Sequence, residues 1–445
     1  MLFFYMRPAA SSLSPLSSFR PFCSTQFKVL SASVLRETGV VCCFYSLEPK
    51  AHTYASAKKV QERGGQPPLH IPLIILVHHQ RDGLPTQREW MSSPSSTGVA
   101  TNDASVRQTS EAINNANLTE DAKGKIRTFT ANRSDVKGLM QAVPHLLLAG
   151  LFSYLWHSAN SVDRLPFAVR VVFLLCQALV MAFFFPGLHE CVHFTAFKTR
   201  ALNLIFGHIF AIATTRPFFH YTFYHFNHHK FTGDPARDPE LQDSFIDMRL
   251  DRPITYLCYL SGVPFWIDRV TTLFRHAFLR WVLPREKLFL TLKTEWKMIR
   301  EARWYVSFYV ACTFWMITRP HDPWAQVMWY NWVVPSLLAQ PCLRFYLIAE
   351  HTNCPQGDDM ISNTRTTETY RWYRWLAWQM PYHAEHHAFP NAPFHQLADV
   401  HAVLKQIEAD RQSSGARSRR QCDPDGTGGY WSVHTTLWKK WRGMR

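Results

Sequence analysis

Eight histidines fall into three tight groups along this chain, each spaced as metal ligands on a helix would be. His189-Glu190-Cys191-Val192-His193 places two imidazoles at i and i+4. His225-Phe226-Asn227-His228-His229 and His383-Ala384-Glu385-His386-His387 each place three at i, i+3 and i+4. With 3.6 residues per turn, those spacings put every ring of a group on one helical face. Imidazole nitrogen suits iron, zinc, copper and nickel, so together the rings could form a polynuclear metal site. The first group also satisfies HExxH, in which two histidines bind zinc and the glutamate acts as general base of a protease. That chemistry needs only one further protein ligand and leaves most of the other rings without work. Zinc sites usually close at four ligands. Eight or nine nitrogens exceed that number and suit two iron ions with open positions for dioxygen. Glu190 would then hold an imidazole N–H and set its tautomer. A non-catalytic metal-handling membrane protein is a further alternative.

Four apolar runs must position these groups. Leu139 to Trp156 is almost free of charge, and Pro166 to Phe185 carries only Arg170. Trp304 to Ile317 and Trp324 to Ala349 are aromatic-rich, with Arg344 their single charge. A membrane span needs about 20 apolar residues, which the second and fourth runs meet, the first nearly meets and the third does not. Trp156, Trp304, Trp315, Trp324, Trp329 and Trp332 lie near run ends, as interfacial aromatic belts do. The pattern predicts an all-α, multi-pass integral membrane protein. It has about four transmembrane helices and a histidine-rich metal cap on the cytosolic side. Pro186-Gly187 should break the second span just before the first histidine group. Ala201–Ala213 and Thr255–Ile267 are too short to cross and read as interfacial or re-entrant helices. For the second and third groups to meet, the chain must cross an even number of times between them, and the last two runs supply those crossings.

The formal charge is +15, but its Lys and Arg cluster beside the histidine groups. Basic loops of that kind mark a cytoplasmic membrane face; no nucleic-acid motif accompanies them, so no nucleic-acid partner is expected. Ten cysteines are scattered without a CxxC pair, which predicts a reduced compartment and no disulfide framework. Residues 1–90 read as a leader, transit-like in its first 36 residues, or as an artefactual start ahead of Met91. Residues 91–135 read as a flexible polar tail. The sequons at Asn117 and Asn132 would face the cytosol unused.

In this order, and interleaved with paired hydrophobic spans, HxxxH, HxxHH and HxxHH resemble the membrane fatty acid desaturase superfamily. The resemblance covers roughly residues 140 to 405, within a membrane domain drawn at 136–405 and followed by a basic C-terminal tail at 406–445. It implies a non-haem di-iron centre that uses dioxygen to remove hydrogens from unactivated C–H bonds. Carried over residue by residue, the ligands are His189, His193, His225, His228, His229, His383, His386 and His387. His351 stands where the family often supplies one more, at the end of the last span. Pro381 to Pro390 is similar to the third box of many members. Asp234 and Asp238 either orient box histidines or cap a helix. The first box has one residue fewer between its histidines than is typical of acyl-CoA desaturases, and His383 stands where front-end desaturases usually carry glutamine. No haem-binding His-Pro-Gly-Gly signature is present. The resemblance therefore implies a separate electron donor, a cytochrome b-type carrier with its reductase or a ferredoxin. The implied substrate is a lipid acyl chain or a similar lipophile, desaturated or, on the same scaffold, hydroxylated or ketolated. The endoplasmic reticulum is the default location, with plastid and mitochondrial membranes as alternatives.

Overall fold

A computed structural model describes residues 118–161, 165–242, 252–355, 359–415 and 429–443. It also describes 27–35, 40–47, 75–76, 107–111 and the single residues 113, 250 and 422. Two compact units divide the chain, Met1–Pro94 and Ser95–Arg445. In the first, β1 (Phe27–Leu35), β2 (Val40–Leu47) and β3 (Ile75–Leu76) pair antiparallel in that order. The β-branched and aromatic residues of β2 suit a strand, although the leader reading did not anticipate one. Met91 and Asn117 lie outside the described residues.

The second unit is helical. Helix α1 (Glu120–Ala131) starts at Thr119, whose hydroxyl accepts from the Ala122 amide, with Glu120 and Asp121 in its first turn. It buries Ala122, Ile126 and Thr130, so part of the stretch expected as a flexible tail is ordered. The Asn132 amide is committed to Gln396 Oε1 at 3.0 Å.

Helix α2 (Asp135–Ser161) and α3 (Phe167–Ala182) form the expected hairpin. Met140, Leu147, Leu151 and Tyr154 of α2 face outward, while Gln141, Ala142 and His145 are buried. Apolar outside and polar inside is the arrangement of a helix in lipid. Inside, Trp378 Nε1 donates to His145 Nδ1 at 3.0 Å, and His145 Nε2 lies 3.0 Å from the Val180 carbonyl. The indole proton fixes the tautomer, so His145 Nε2 is the donor to Val180.

The break before the first histidine group falls at Phe183, not at Pro186-Gly187, and α4 (Phe184–Val192) runs on through that dipeptide. A proline ring clashes with the carbonyl four residues earlier, here Ala182, the last residue of α3. Helix α5 (Arg200–Ala213) packs on α4. Its Gly207 lies so close to α6 (Phe218–Phe231) that a Cβ there would meet Phe218 at 2.3 Å.

Helices α5, α7 (Pro253–Leu260) and α8 (Val263–Phe274, continued by a π turn to Leu279) expose Ile205, Ile254, Leu257, Val270 and Phe274. Such faces suit the interfacial role expected of them.

Among the described residues, three helical stretches are long and apolar enough to cross a membrane: Asp135–Ser158, Phe167–Val192 and Pro323–His351. The expected third run is the second half of a longer helix, α9 (Leu292–Thr318). At 27 residues α9 is about 40 Å long, with charges gathered in its first half and Val310, Phe314 and Ile317 exposed in its second. It leads by a short turn into the last span, which ends as α10 (Val334–His351).

After α10 come α11 (His383–Ala388), α12 (Leu397–Ser413) and α13 (Gly429–Trp441). Helix α1 packs on α12. Helix α13 returns to α10, where His434 stacks on Phe345 at 3.6 Å and bonds Tyr256 and the Phe345 carbonyl. This return also brings Cys422 to Cys354, and the two form a disulfide. No disulfide framework was expected, because scattered spacing cannot reveal a pairing made by a distant helix; Cys176, Cys191, Cys258, Cys312 and Cys342 are free.

Candidate metal centre

Four helix ends deliver the histidines to one place. His189 lies on α4 and His193 caps its C-terminus; His225, His228 and His229 lie on α6. His351 ends α10, and His383, His386 and His387 lie on α11. Helix α6 begins at Pro217, which offers no side-chain cap. Glu301 of α9 caps it instead, its carboxylate accepting from the amides of Phe219 at 2.9 Å and His220 at 3.1 Å. Left-handed backbone at Phe194, Asn353, Trp378 and Gln379 borders the first histidine group, His351 and the third group. Such conformations disfavour side-chain-bearing residues and cluster at functional sites.

The rings gather in two adjoining groups. One ligating atom each from His189, His193, His225, His229 and His386 lie within 4.8 Å of one another, and so do those of His228, His351 and His387. His383 joins the second group through Nε2, 3.0 Å from His351 Nε2. The His229 and His387 rings stack at 4.1 Å and link the groups.

The donor set fits metal. His229 Nε2 lies 3.0 Å from His225 Nε2 and 3.1 Å from His386 Nε2. Three neutral imidazoles meeting through the same nitrogen cannot all be satisfied by shared protons, whereas a cation accepts all three lone pairs. Both nitrogens of His189 and of His193 are buried without a hydrogen bond, an arrangement that is costly unless some other group takes the lone pairs.

Neighbouring side chains aim these nitrogens. Thr232 Oγ1 donates to the His228 carbonyl at 2.7 Å, so it accepts from His387 Nδ1 at 3.2 Å and leaves His387 Nε2 unprotonated. Asp238 Oδ1 accepts from His228 Nδ1 at 2.9 Å and also from the Glu240 amide. Asp238 therefore does both things expected of it, while Asp234 engages Arg237 and the Ala236 amide. Glu190 Oε2 accepts from Thr195 Oγ1 at 2.8 Å and from the Phe394 amide at 3.2 Å. Its other oxygen stands 3.9 Å from His386 Nδ1 and 4.0 Å from His189 Nδ1, beyond hydrogen-bond reach. His401, left outside the boxes, bonds Glu385 at 2.6 Å.

Thr232, Gln108 and Glu301 were missed. Thr232 alone had a local signal, at i+3 and i+4 from two box histidines. Gln108 Nε2 donates to the carbonyls of His229 and His387, at 3.2 and 3.4 Å.

Burial pulls His193 down to about 3 and holds His225, His229, His383, His386 and His387 well below the usual imidazole range. These rings are the neutral species that metal ligation requires. Burial also opposes charge on His228, but Glu240 and Asp238 outweigh it and lift His228 to about 9. Groups with depressed folded pKa bind fewer protons than the unfolded chain below 6.5. Metal-stripped protein should therefore lose stability on acidification from pH 6.5, at about 1.4 kcal/mol per pH unit for each such histidine. His228 works in the opposite sense, above pH 6.5. Thermal melts between pH 6.5 and 5 check this; a melting temperature that rises as the pH falls through that range contradicts it.

A narrow recess bounded by Phe185, Tyr221, Tyr346, Leu347 and Met380 reaches His189, His225, His228, His351 and His383. The family model for fatty acid desaturase matches residues 165–415, which contain all nine histidines. No curated protein matches the chain.

Proposed function

This chain belongs to the fatty acid desaturase family, and we propose that it is a membrane oxidoreductase desaturating a lipid acyl chain or comparable lipophile. The observation carrying the proposal is the convergence of nine buried or half-buried imidazoles from four helix ends into two adjoining groups. We assign His189, His193, His225, His229 and His386 to one iron and His228, His351, His383 and His387 to the other. Iron held there would supply dioxygen-dependent oxidation of an unactivated C–H bond. The protein's own part is positional. Asp238 and Thr232 fix the tautomers of His228 and His387, and Glu350, 3.5 Å from His383 Nδ1, borders that ring. Phe185, Tyr346 and Leu347 line the approach with apolar surface, which suits a hydrocarbon and sheds water. Electrons come from a separate carrier protein, and the endoplasmic reticulum is the proposed location.

Elemental analysis of full-length protein purified in mild detergent tests the metal. About two iron ions per chain are expected, as in other di-iron sites; about one zinc and no iron would restore the HExxH reading. Product analysis then tests the reaction, since an olefin marks desaturation and an alcohol marks hydroxylation.

A further inference from the structure

Beside the metal recess lies a larger cavity of about 270 Å³, which shares Phe185, Glu240, Leu347, Glu350 and His351 with it. Its wall also holds three arginines gathered about one aromatic ring. The guanidinium carbons of Arg216, Arg269 and Arg344 lie 5.3, 5.5 and 4.6 Å from the Phe265 centroid.

Three acids face this cavity, and each has a partner. Asp268 pairs with Arg269 at 2.5 Å. Glu240 stands 3.7 Å from His228, and Glu350 3.5 Å from His383, at the metal side. Arg344 is 7% exposed and donates to the neutral Gln340 Oε1 at 3.2 and 3.3 Å. Among the described residues, no carboxylate lies within ion-pair distance of Arg216 or Arg344. A guanidinium is charged at any physiological pH. Of the described carboxylates, Arg344, buried, and Arg216, half-buried, have only the through-space pull of Glu240 to offset that charge. A positive charge shielded from water without a contacting anion is unfavourable. The planar fork of arginine matches carboxylate or phosphate oxygens two at a time.

We propose that Arg216 and Arg344 grip the anionic head of the substrate, a carboxylate or phosphate, and that the oxidised carbon lies close to that head. Proximity follows from size. One cavity touches both the arginines and His351, and its volume is near the lower bound of ordinary ligand pockets. A head seated on the arginines leaves room for only a few carbons before the histidines. The proposal rests on the oxidoreductase reading of the adjoining histidines, but the arginines are not metal ligands, so binding can be measured apart from turnover.

The experiment is calorimetric titration of purified, iron-assayed full-length protein in neutral detergent with octanoate, octyl phosphate and octanol. At least one anion should bind, with octanol roughly tenfold weaker or worse, the loss expected when a hydrogen bond to a charged group is removed. Preference between the two anions identifies the head as carboxylate or phosphate. Arg344→Gln and Arg216→Gln should each weaken anion binding by a similar factor while iron content stays at the wild-type level. Arg216 is only half-buried on a loop, so its variant serves if the span variant fails to fold. Octanol binding as tightly as the anions, or anion binding unchanged in a folded variant, overturns the proposal. Wild-type protein without iron would instead sink the oxidoreductase reading and leave the anion comparison readable.

Discussion

Replacing His386 with alanine is expected to strip iron from the protein and abolish product. His386 sits at the centre of the larger group, its ring 4.5 Å from that of His189, 4.6 Å from His193 and 4.8 Å from His229. The neighbouring rings of His189, His193, His225 and His229 are ligand candidates themselves, so none of these histidines is spare to replace it. Losing a residue that only orients a ligand typically lowers metal affinity or activity 10- to 100-fold, so loss of the ligand should exceed about 100-fold. Iron per chain and product yield are the measurements, with a melting curve to show that the variant folds. A zinc protease built on His189, Glu190 and His193 would not depend on His386. Glu190 Oε2 is occupied by Thr195 and the Phe394 amide, while Oε1 faces His386 and His189, so the His386 variant, not the placement of Glu190, separates the two readings. Full activity with full iron in the alanine variant would defeat the assignment.

The three histidine motifs were legible in the sequence because a helix brings i, i+3 and i+4 together without help from the rest of the chain. The first two spans and the last were legible from length and hydropathy alone, since lipid imposes both. His351 was legible only from its place at the end of the last span, because a single histidine carries no spacing of its own. Features that depend on distant segments meeting were not legible. Glu301 lies 82 residues from the amide of Phe219 that it caps, and Gln108 lies 121 residues from the His229 carbonyl. Cys354 and Cys422 are 68 residues apart. The arginine-lined cavity belongs to this class as well, since Arg216, Arg269 and Arg344 come from a loop, an interfacial helix and a span. Scattered through the sequence, they looked like topology signals or an isolated intramembrane charge.

Replacing Glu286 with alanine is expected to destabilise the membrane domain by about 3–5 kcal/mol, the usual result of breaking a buried ion pair from one side. Glu286 is 5% exposed. It accepts from Arg275 Nη1 at 2.7 Å, His276 Nε2 at 2.9 Å and the Leu283 amide at 2.7 Å. His220 Nε2 lies 3.5 Å away. Although burial opposes its charge, His220, His276 and Arg275 hold its carboxyl far below the usual range. A depressed carboxylate contributes stability that is complete above its unfolded pKa, near 4.5, and is lost progressively as the pH falls below it. Alanine leaves the Arg275 guanidinium buried without its anion. Glutamine, which keeps acceptor capacity but no charge, should fall between wild type and alanine. His220 belongs to the first turn of α6, the helix that carries the second histidine motif. Loosening the cluster should therefore raise the fraction of protein unfolded, while the folded fraction keeps its iron. Denaturant unfolding read together with iron per folded chain separates the two effects. Iron lost in proportion to unfolding fits a positioning scaffold. Iron lost from fully folded protein would mean that His220 and Glu286 take part in the metal centre itself. An alanine variant as stable as wild type would show that the buried charges do not hold this end of α6.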